Sequence, residues 1–208
     1  MTGLNKKILA SIDFSINSTS MLIYDESYHW YHFGREKTSY FDLGKNSFTR
    51  LLLPKRIKGD DYCKTERLKV VDARQLCQNI VRVMSEKKVT HVAFEGHSFN
   101  SKGNSLLELV SYQFLLRNMI TTYLEIDELN MFFYSPITIK SFAGGARFKK
   151  KDMLDSFIKN DDKILTENEV HKIIKSSYDI VLKGDNVVKP VDDVIDSYWI
   201  LKKLQQDV

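Results

Sequence analysis

Four carboxylates in this chain stand where they could share one site. Asp13 closes the apolar run ILASID and Glu95 closes VTHVAFE, while Asp193 and Asp196 lie three residues apart in VDDVIDSYWILKKL, near the end of the 208 residues. The first two fall at the ends of predicted strands, and an i, i+3 pair on a helix shares one face. An Asp at a helix start is ordinarily a cap or a partner for the macrodipole, a role assigned here to Asp192. Asp196 falls one turn further in, just before Tyr198, Trp199, Ile200 and Leu201, where Asp is a mediocre helix former. Carboxylates gathered without matching cations repel one another and lose solvation, so they protonate or are neutralised by divalent ions. All-oxygen ligation suits Mg²⁺, with Mn²⁺ able to substitute. A pair of such ions can activate water and stabilise a leaving oxygen in phosphodiester hydrolysis. The plainer reading makes Asp13 a turn residue, Glu95 a rim charge and the aspartates caps; it serves each acid singly but needs all of them to coincide.

The elements that must position these acids follow from periodicity. KKILASIDFS reads as a buried strand, and STSMLIYDES and YHWYHFGRE follow at hairpin distance, rich in aromatic and β-branched residues. Residues 70–87 place Val71, Leu76, Ile80, Val83 and Met84 at helical spacing before the near-continuous apolar strand that ends at Glu95. Residues 104–125 predict a long helix apolar on more than one face, which needs burial on two sides, one by its own sheet and one by a partner subunit. MFFYSP is a fifth strand, KKKDMLDSFIKN and TENEVHKIIKSSYDI are helices, and a last helix starts near Val191. The order predicts a mixed α/β fold, with three antiparallel strands, then parallel crossovers, in a five-stranded sheet flanked by helices. The carboxyl ends of adjacent parallel strands face one edge, and a helix laid across that edge would deliver its acids to the same spot.

With 43% hydrophobic and 28% charged residues, 3 prolines and no repeat, residues 1–208 read as one globular domain. No run is long enough to span a membrane, and the short apolar stretch near the N-terminus contains Asp13, so it is not a signal peptide. Cys63 and Cys77 lack CxxC spacing and read as free thiols in a reducing compartment, which predicts a cytoplasmic protein. The net charge of +4 is modest but uneven: residues 35–70 carry ten Lys/Arg against five acids, and KSFAGGARFKKK at 140–151 carries five bases and no acid. Charge runs are usually solvated faces; the second run, with its glycines, fits a flexible loop whose backbone approaches nucleic-acid phosphates. His29 and His32, three apart in a strand, face opposite sides and do not share a metal. His97 reads as an exposed loop residue, and AGGAR lacks P-loop spacing.

In order and spacing, ILASIDFSINSTSMLIYD, VAFEGHSFNSKGN, YSPITIKSFAGGARFKKKDML and DDVIDSYWILKKL resemble the RuvC-type Holliday junction resolvases of the RNase H-like (retroviral integrase) superfamily. The four segments cover most of the chain. The resemblance implies an RNase H-like fold and a metal-dependent endodeoxyribonuclease that nicks four-way junctions and related branched DNA. It makes Asp13, Glu95, Asp193 and Asp196 the ligands of two Mg²⁺ ions, and puts Lys140 and Lys151 at the family's two lysine positions. Lys151 is then catalytic, with Arg147, Lys149 and Lys150 beside it on the DNA. Phe99 is nearest to the family's junction-stacking aromatic residue, displaced by one from the usual spacing. The family dimerises through the helix that falls here at 104–125, which would present two sites to two strands of a junction.

Relative to compact bacterial members, residues 42–69 and 160–190 stand as insertions, the first basic enough to widen a DNA face and the second a surface helix and loop. A Lys-, Ile- and Asn-rich chain with such insertions suits a phage-encoded version, working in the host cytoplasm. The superfamily also holds nucleases for flaps and RNA–DNA hybrids, and the same fold can serve an inactive DNA-binding scaffold.

Overall fold

Near-continuous burial on both faces marks the first sheet strands of the computed structural model, which describes residues 6–36, 38–96 and 104–208. β1 (Leu9–Asp13), β2 (Ser18–Tyr24) and β3 (Tyr28–Arg35) form the expected antiparallel meander, with Asp13 opposite Ser20. β4 (Phe48–Leu53) then runs parallel to β3 along the sheet edge. After α1 (Tyr62–Glu86), β5 (His91–Glu95) returns parallel to β1. α2 (Asn104–Leu124) leads to β6 (Met131–Tyr134), which is parallel to β5.

The remaining elements are α3 (Pro136–Ala143), α4 (Lys150–Lys159), α5 (Lys163–Glu167), α6 (Glu169–Ser176), α7 (Tyr178–Val181), the hairpin β7 (Leu182–Lys183) and β8 (Asn186–Val187), and α8 (Val191–Asp207). Among the described residues no helix is long and apolar enough to cross a membrane.

The main sheet has six strands in the order β4-β3-β2-β1-β5-β6, not five. The extra strand is FTRLLL, inside the stretch expected to be an insertion. Its burial is uneven along its length, so no clean alternation marks it, and pairing with β3 is what makes it a strand. α1 likewise starts at Tyr62 rather than near Val70. Asp61 caps it, accepting from the Lys64 amide at 2.7 Å, and its exposed first turns show no core-facing period. The 160–190 stretch is also more than a surface helix and loop, because Leu165, Val170, Ile174, Val181 and Val187 are buried in the core beside α8.

Alternating side chains divide the sheet between two cores. Ala10, Ile12, Met21, Ile23, Val92 and Phe94 pack under α1 and α2, while Leu9, Leu22, Trp30 and Ala93 face α8 and the smaller helices. α8 meets the sheet through small hydroxyls as well as apolar groups. Ser11 donates to the Ser197 carbonyl at 2.6 Å, the Ser20 and Ser197 hydroxyls lie 3.1 Å apart, and the Trp30 indole donates to the Val194 carbonyl at 3.2 Å. At the helix's other flank the Tyr28 hydroxyl, the Tyr198 hydroxyl and the Lys202 ammonium converge on Asp162 at 2.6, 3.3 and 3.2 Å.

Those contacts place α8 as a core helix, with Leu201 fully buried. Leu201→Ala should therefore cost about 2–5 kcal/mol in urea unfolding, the usual toll of a buried leucine truncated without collapse of the space. A cost below about 1 kcal/mol would mean that α8 does not carry the core on this side.

Candidate active site

Parallel pairing of β1 with β5 brings two of the acids to one edge. Ile12 pairs with Phe94, so Asp13 and Glu95 follow side by side at the strands' carboxyl ends. The first two turns of α8 cross that edge and add Asp193 and Asp196. The electrostatics report the gathering. Burial, then Asp193, Asp196 and Glu95, push the Asp13 carboxyl well above its ordinary value, against Lys189. Asp196 is pushed up to about 8, by burial first and then by Glu95, Asp192 and Asp193, while Lys150 opposes. Burial and then Asp192 carry Asp193 up to about 6 against Lys189 and Ser18. Burial raises Glu95, with Lys140 pulling it back. All four candidate acids thus share one field, and their net tendency is to hold protons.

Asp192 is not an exposed cap. Pro190 occupies the N-cap position without a side-chain hydrogen bond, and Asp192 is only 4% exposed, inside the first turn. It accepts ion pairs on Oδ2 from Lys150 and from Lys189, the latter at 3.1 Å, and its Oδ1 has no partner. Lys189 also pairs with Asp193 Oδ1. Burial works against the Lys189 charge, but Asp193 and Asp192 outweigh it and hold the ammonium above the ordinary lysine value. Sequence reasoning missed Lys189 altogether; its i, i+3 and i, i+4 spacing to two acids was the available signal.

Asp193 has a second set of partners on its other oxygen. The Ser18 hydroxyl donates to Oδ2 at 2.6 Å, and His32 Nε2 lies 3.0 Å from the Ser18 hydroxyl and 3.9 Å from Oδ2. Burial, with Arg50 and Lys189 nearby, pushes the His32 imidazole down to about 3, so the ring is neutral at ordinary pH. His29, as expected, is elsewhere, 2.9 Å from Thr49.

The basic residues divide in a way the triple lysine did not reveal. Lys150 reaches the acids; Lys149 is the exposed N-cap of α4 and pairs with Asp185 at 3.4 Å. Lys151 is exposed and has no ion pair among the described residues, so the structure brings Lys150 rather than Lys151 to the carboxylates. Lys140 lies on α3 within the field of Glu95, and Arg147 is exposed in the α3–α4 turn. The glycines of that turn have a local purpose. A Cβ on Gly144 or Gly145 would meet the Phe148 ring at 2.8 or 2.6 Å, so the loop is packed rather than loose. Phe99 and His97 lie outside the described residues.

Carboxylate oxygens crowded among one another, with the buried Oδ1 of Asp192 unpartnered, form a donor set that fits a hard divalent cation. As the side chains stand, no three His, Cys, Asp or Glu among the described residues draw close enough to share an ion, and lysines engage Asp192 and Asp193 instead.

No protein-family model and no curated protein sequence matches the chain. Solved structures do. A Thermus thermophilus RuvC in complex with a Holliday junction substrate aligns with a TM-score of 0.53 at 13% identity, covering 96% of each chain. A second Thermus thermophilus RuvC structure gives 0.51 at 11% identity, also over 96% of each. The yeast mitochondrial Holliday junction resolvase Ydc2 gives 0.50 at 14% identity, covering 94% of this chain and 76% of that one. The chain has the RuvC-type, RNase H-like fold that the sequence resemblance implied.

The raised carboxyls make a stability prediction. An acid whose folded pKa is raised destabilises the folded state as pH climbs from its unfolded value to its folded one. Without divalent metal, Asp196→Asn should therefore raise Tm, with the largest gain at and above about pH 8 and none near pH 4. A relief of about 1 kcal/mol corresponds to about 2–4 °C in a chain of this size. Calorimetry in EDTA across that range checks it, and a lower Tm for the variant at pH 8 would contradict the crowding.

Proposed function

We propose that this chain is a divalent-metal-dependent, structure-selective endodeoxyribonuclease that nicks four-way junctions and related branched DNA. The observation that carries the reading is the convergence of Asp13, Glu95, Asp193 and Asp196, from two strand ends and one helix, within a RuvC-type fold. These carboxylates would hold Mg²⁺, with Mn²⁺ able to substitute, and two ions per site is the number the family resemblance suggests. Bound there, the ions would supply an activated water and charge stabilisation for the leaving oxygen.

The chain's own cations would do the rest. Lys150 and Lys189, already beside the acids, would support the scissile phosphate as negative charge develops, with Lys140 on the Glu95 side. Arg147, Lys149 and Lys151 would grip backbone phosphates, which positions DNA without reading its sequence. Asp192 would hold Lys150 and Lys189 in place between encounters.

The homodimer is part of the proposal. One side of α2 packs on α1 and the sheet through Tyr112, Leu116, Met119 and Ile120, while Leu107 and Phe114 are 67% and 70% exposed on the other. With Val110 they form an i, i+3, i+7 stripe, beside a groove of about 580 Å³ between α1 and α2. Pairing that stripe across a two-fold axis would bury it and supply two sites for two strands.

The expected result is Mg²⁺-dependent nicking of a synthetic four-way junction that Asp13→Asn abolishes while junction binding in EDTA survives. Undiminished cleavage by Asp13→Asn would sink the site assignment. For the dimer, light scattering should give twice the chain mass for the native protein and a monomer for the Leu107→Glu, Phe114→Glu double variant. A dimer that persists in that variant places the interface elsewhere.

A further inference from the structure

We infer that Ser18 and His32 are positioning residues that lock Asp193 by one oxygen and leave the other to act as its single ligating atom. The inference rests on the nuclease reading above and extends it to two buried side chains behind Asp193.

The direction of the hydrogen bonds follows from counting protons. Ser18 has one, and its 2.6 Å contact to Asp193 Oδ2 uses it. The hydroxyl can then only accept from His32, so Nε2 carries the ring proton and donates over 3.0 Å. Nδ1 is left as a bare acceptor, and it has no partner. This order runs from histidine to serine to carboxylate, opposite to that of a serine nucleophile, and Ser18 and His32 are 7% and 0% exposed, with no room for a substrate. The relay therefore orients a carboxylate. Asp193 Oδ2 is committed to it, while Oδ1 faces the Lys189 ammonium.

The ring is itself held. Tyr40 meets it edge-on with centroids 4.8 Å apart, and Phe48 of β4 stacks at 6.2 Å and 20°. A Cβ on Gly34 would lie 2.9 Å from His32 Cε1 and 2.8 Å from the Tyr40 ring, so only glycine leaves both rings their places. Arg50 lies over Tyr40 and Phe48 at 5.2 and 5.7 Å. The edge strand that the sequence hid is thus the platform for the relay. Partners of this kind, which orient a metal-binding side chain without touching the metal, typically contribute 10- to 100-fold in metal affinity.

The test is Mn²⁺ titration of the metal-free 208-residue chain, read by the electron paramagnetic resonance of free Mn²⁺, with thermal unfolding as a check on folding. Ser18→Ala and His32→Phe should each weaken Mn²⁺ binding by about 10- to 100-fold. His32→Gln, whose amide nitrogen can take the place of Nε2, should bind near the native level. Native-like affinity in Ser18→Ala and His32→Phe, with binding lost in Asp193→Asn, overturns the relay and leaves the nuclease reading standing. If His32→Gln binds as weakly as His32→Phe, the donor role of His32 is wrong. Should His32→Phe not fold, Ser18→Ala decides the question. A native protein that neither binds Mn²⁺ nor nicks a junction removes the nuclease reading, and the relay with it.

Discussion

The seating of α8 on β1 and β2 is the contact on which the rest of the molecule depends. Helices normally meet sheets through large apolar side chains, and α8 does so at Ile195, Leu201 and Leu204. Around Ser197, however, the contact is made by hydroxyls, with Ser11 and Ser20 on the strands and the Trp30 indole holding the Val194 carbonyl. Each of these bonds satisfies a buried polar group that would otherwise cost free energy, so together they specify one register of helix on sheet. A shift of one residue along α8 would rotate Asp193 and Asp196 by about 100° away from the strand ends. The placing of the acids thus follows from the serine pairing that begins at Ser197, the residue after Asp196.

That register creates an electrostatic problem that the fold resolves only in part. Five acids stand at or near one sheet edge, and Lys150 and Lys189 answer two of them. A buried ion pair contributes little net stability once desolvation is counted, but removing one partner leaves an uncompensated buried charge behind. The core beneath, from Trp30 through Tyr198 to Phe157, supplies the apolar burial that offsets such a site. Local rules are broken where chemistry would occur and obeyed nearly everywhere else, which is the pattern expected of a functional edge.

The four acids were legible in sequence because each belongs to a local pattern: two end apolar strands, and two share a helix face at i, i+3. The meander, β5, β6 and α8 were legible for the same reason, the strands as short apolar, aromatic and β-branched runs between turn residues and the helix as an amphipathic run behind its leading acids. What escaped depends on contacts between distant segments. β4 is a strand only through its pairing with β3, and His32 matters only because Ser18 and Asp193, 14 and 161 positions away, fold around it. Asp192 looked like a cap because helix-start acids usually are caps, and nothing local revealed that Lys150 would cross from α4 to meet it. Among Lys149, Lys150 and Lys151, the helix start at Lys150 sets the three directions, and a run of identical residues carries no such phase.

The Phe148 ring, wedged against Gly144 and Gly145, has a thermodynamic consequence for encounter with a polyanion. A loop of glycines and lysines would ordinarily lose conformational freedom on binding, and that loss subtracts directly from affinity. Here much of that loss has already been taken during folding: the Phe148 ring packs against both glycines, Ser156 donates to the Ala143 carbonyl at 2.5 Å, and Asp152 accepts from the Lys149 amide at 2.8 Å. Arg147 and the lysines that follow are presented as a shaped surface, so a polyanion that met them would face an array whose spacing is set in advance.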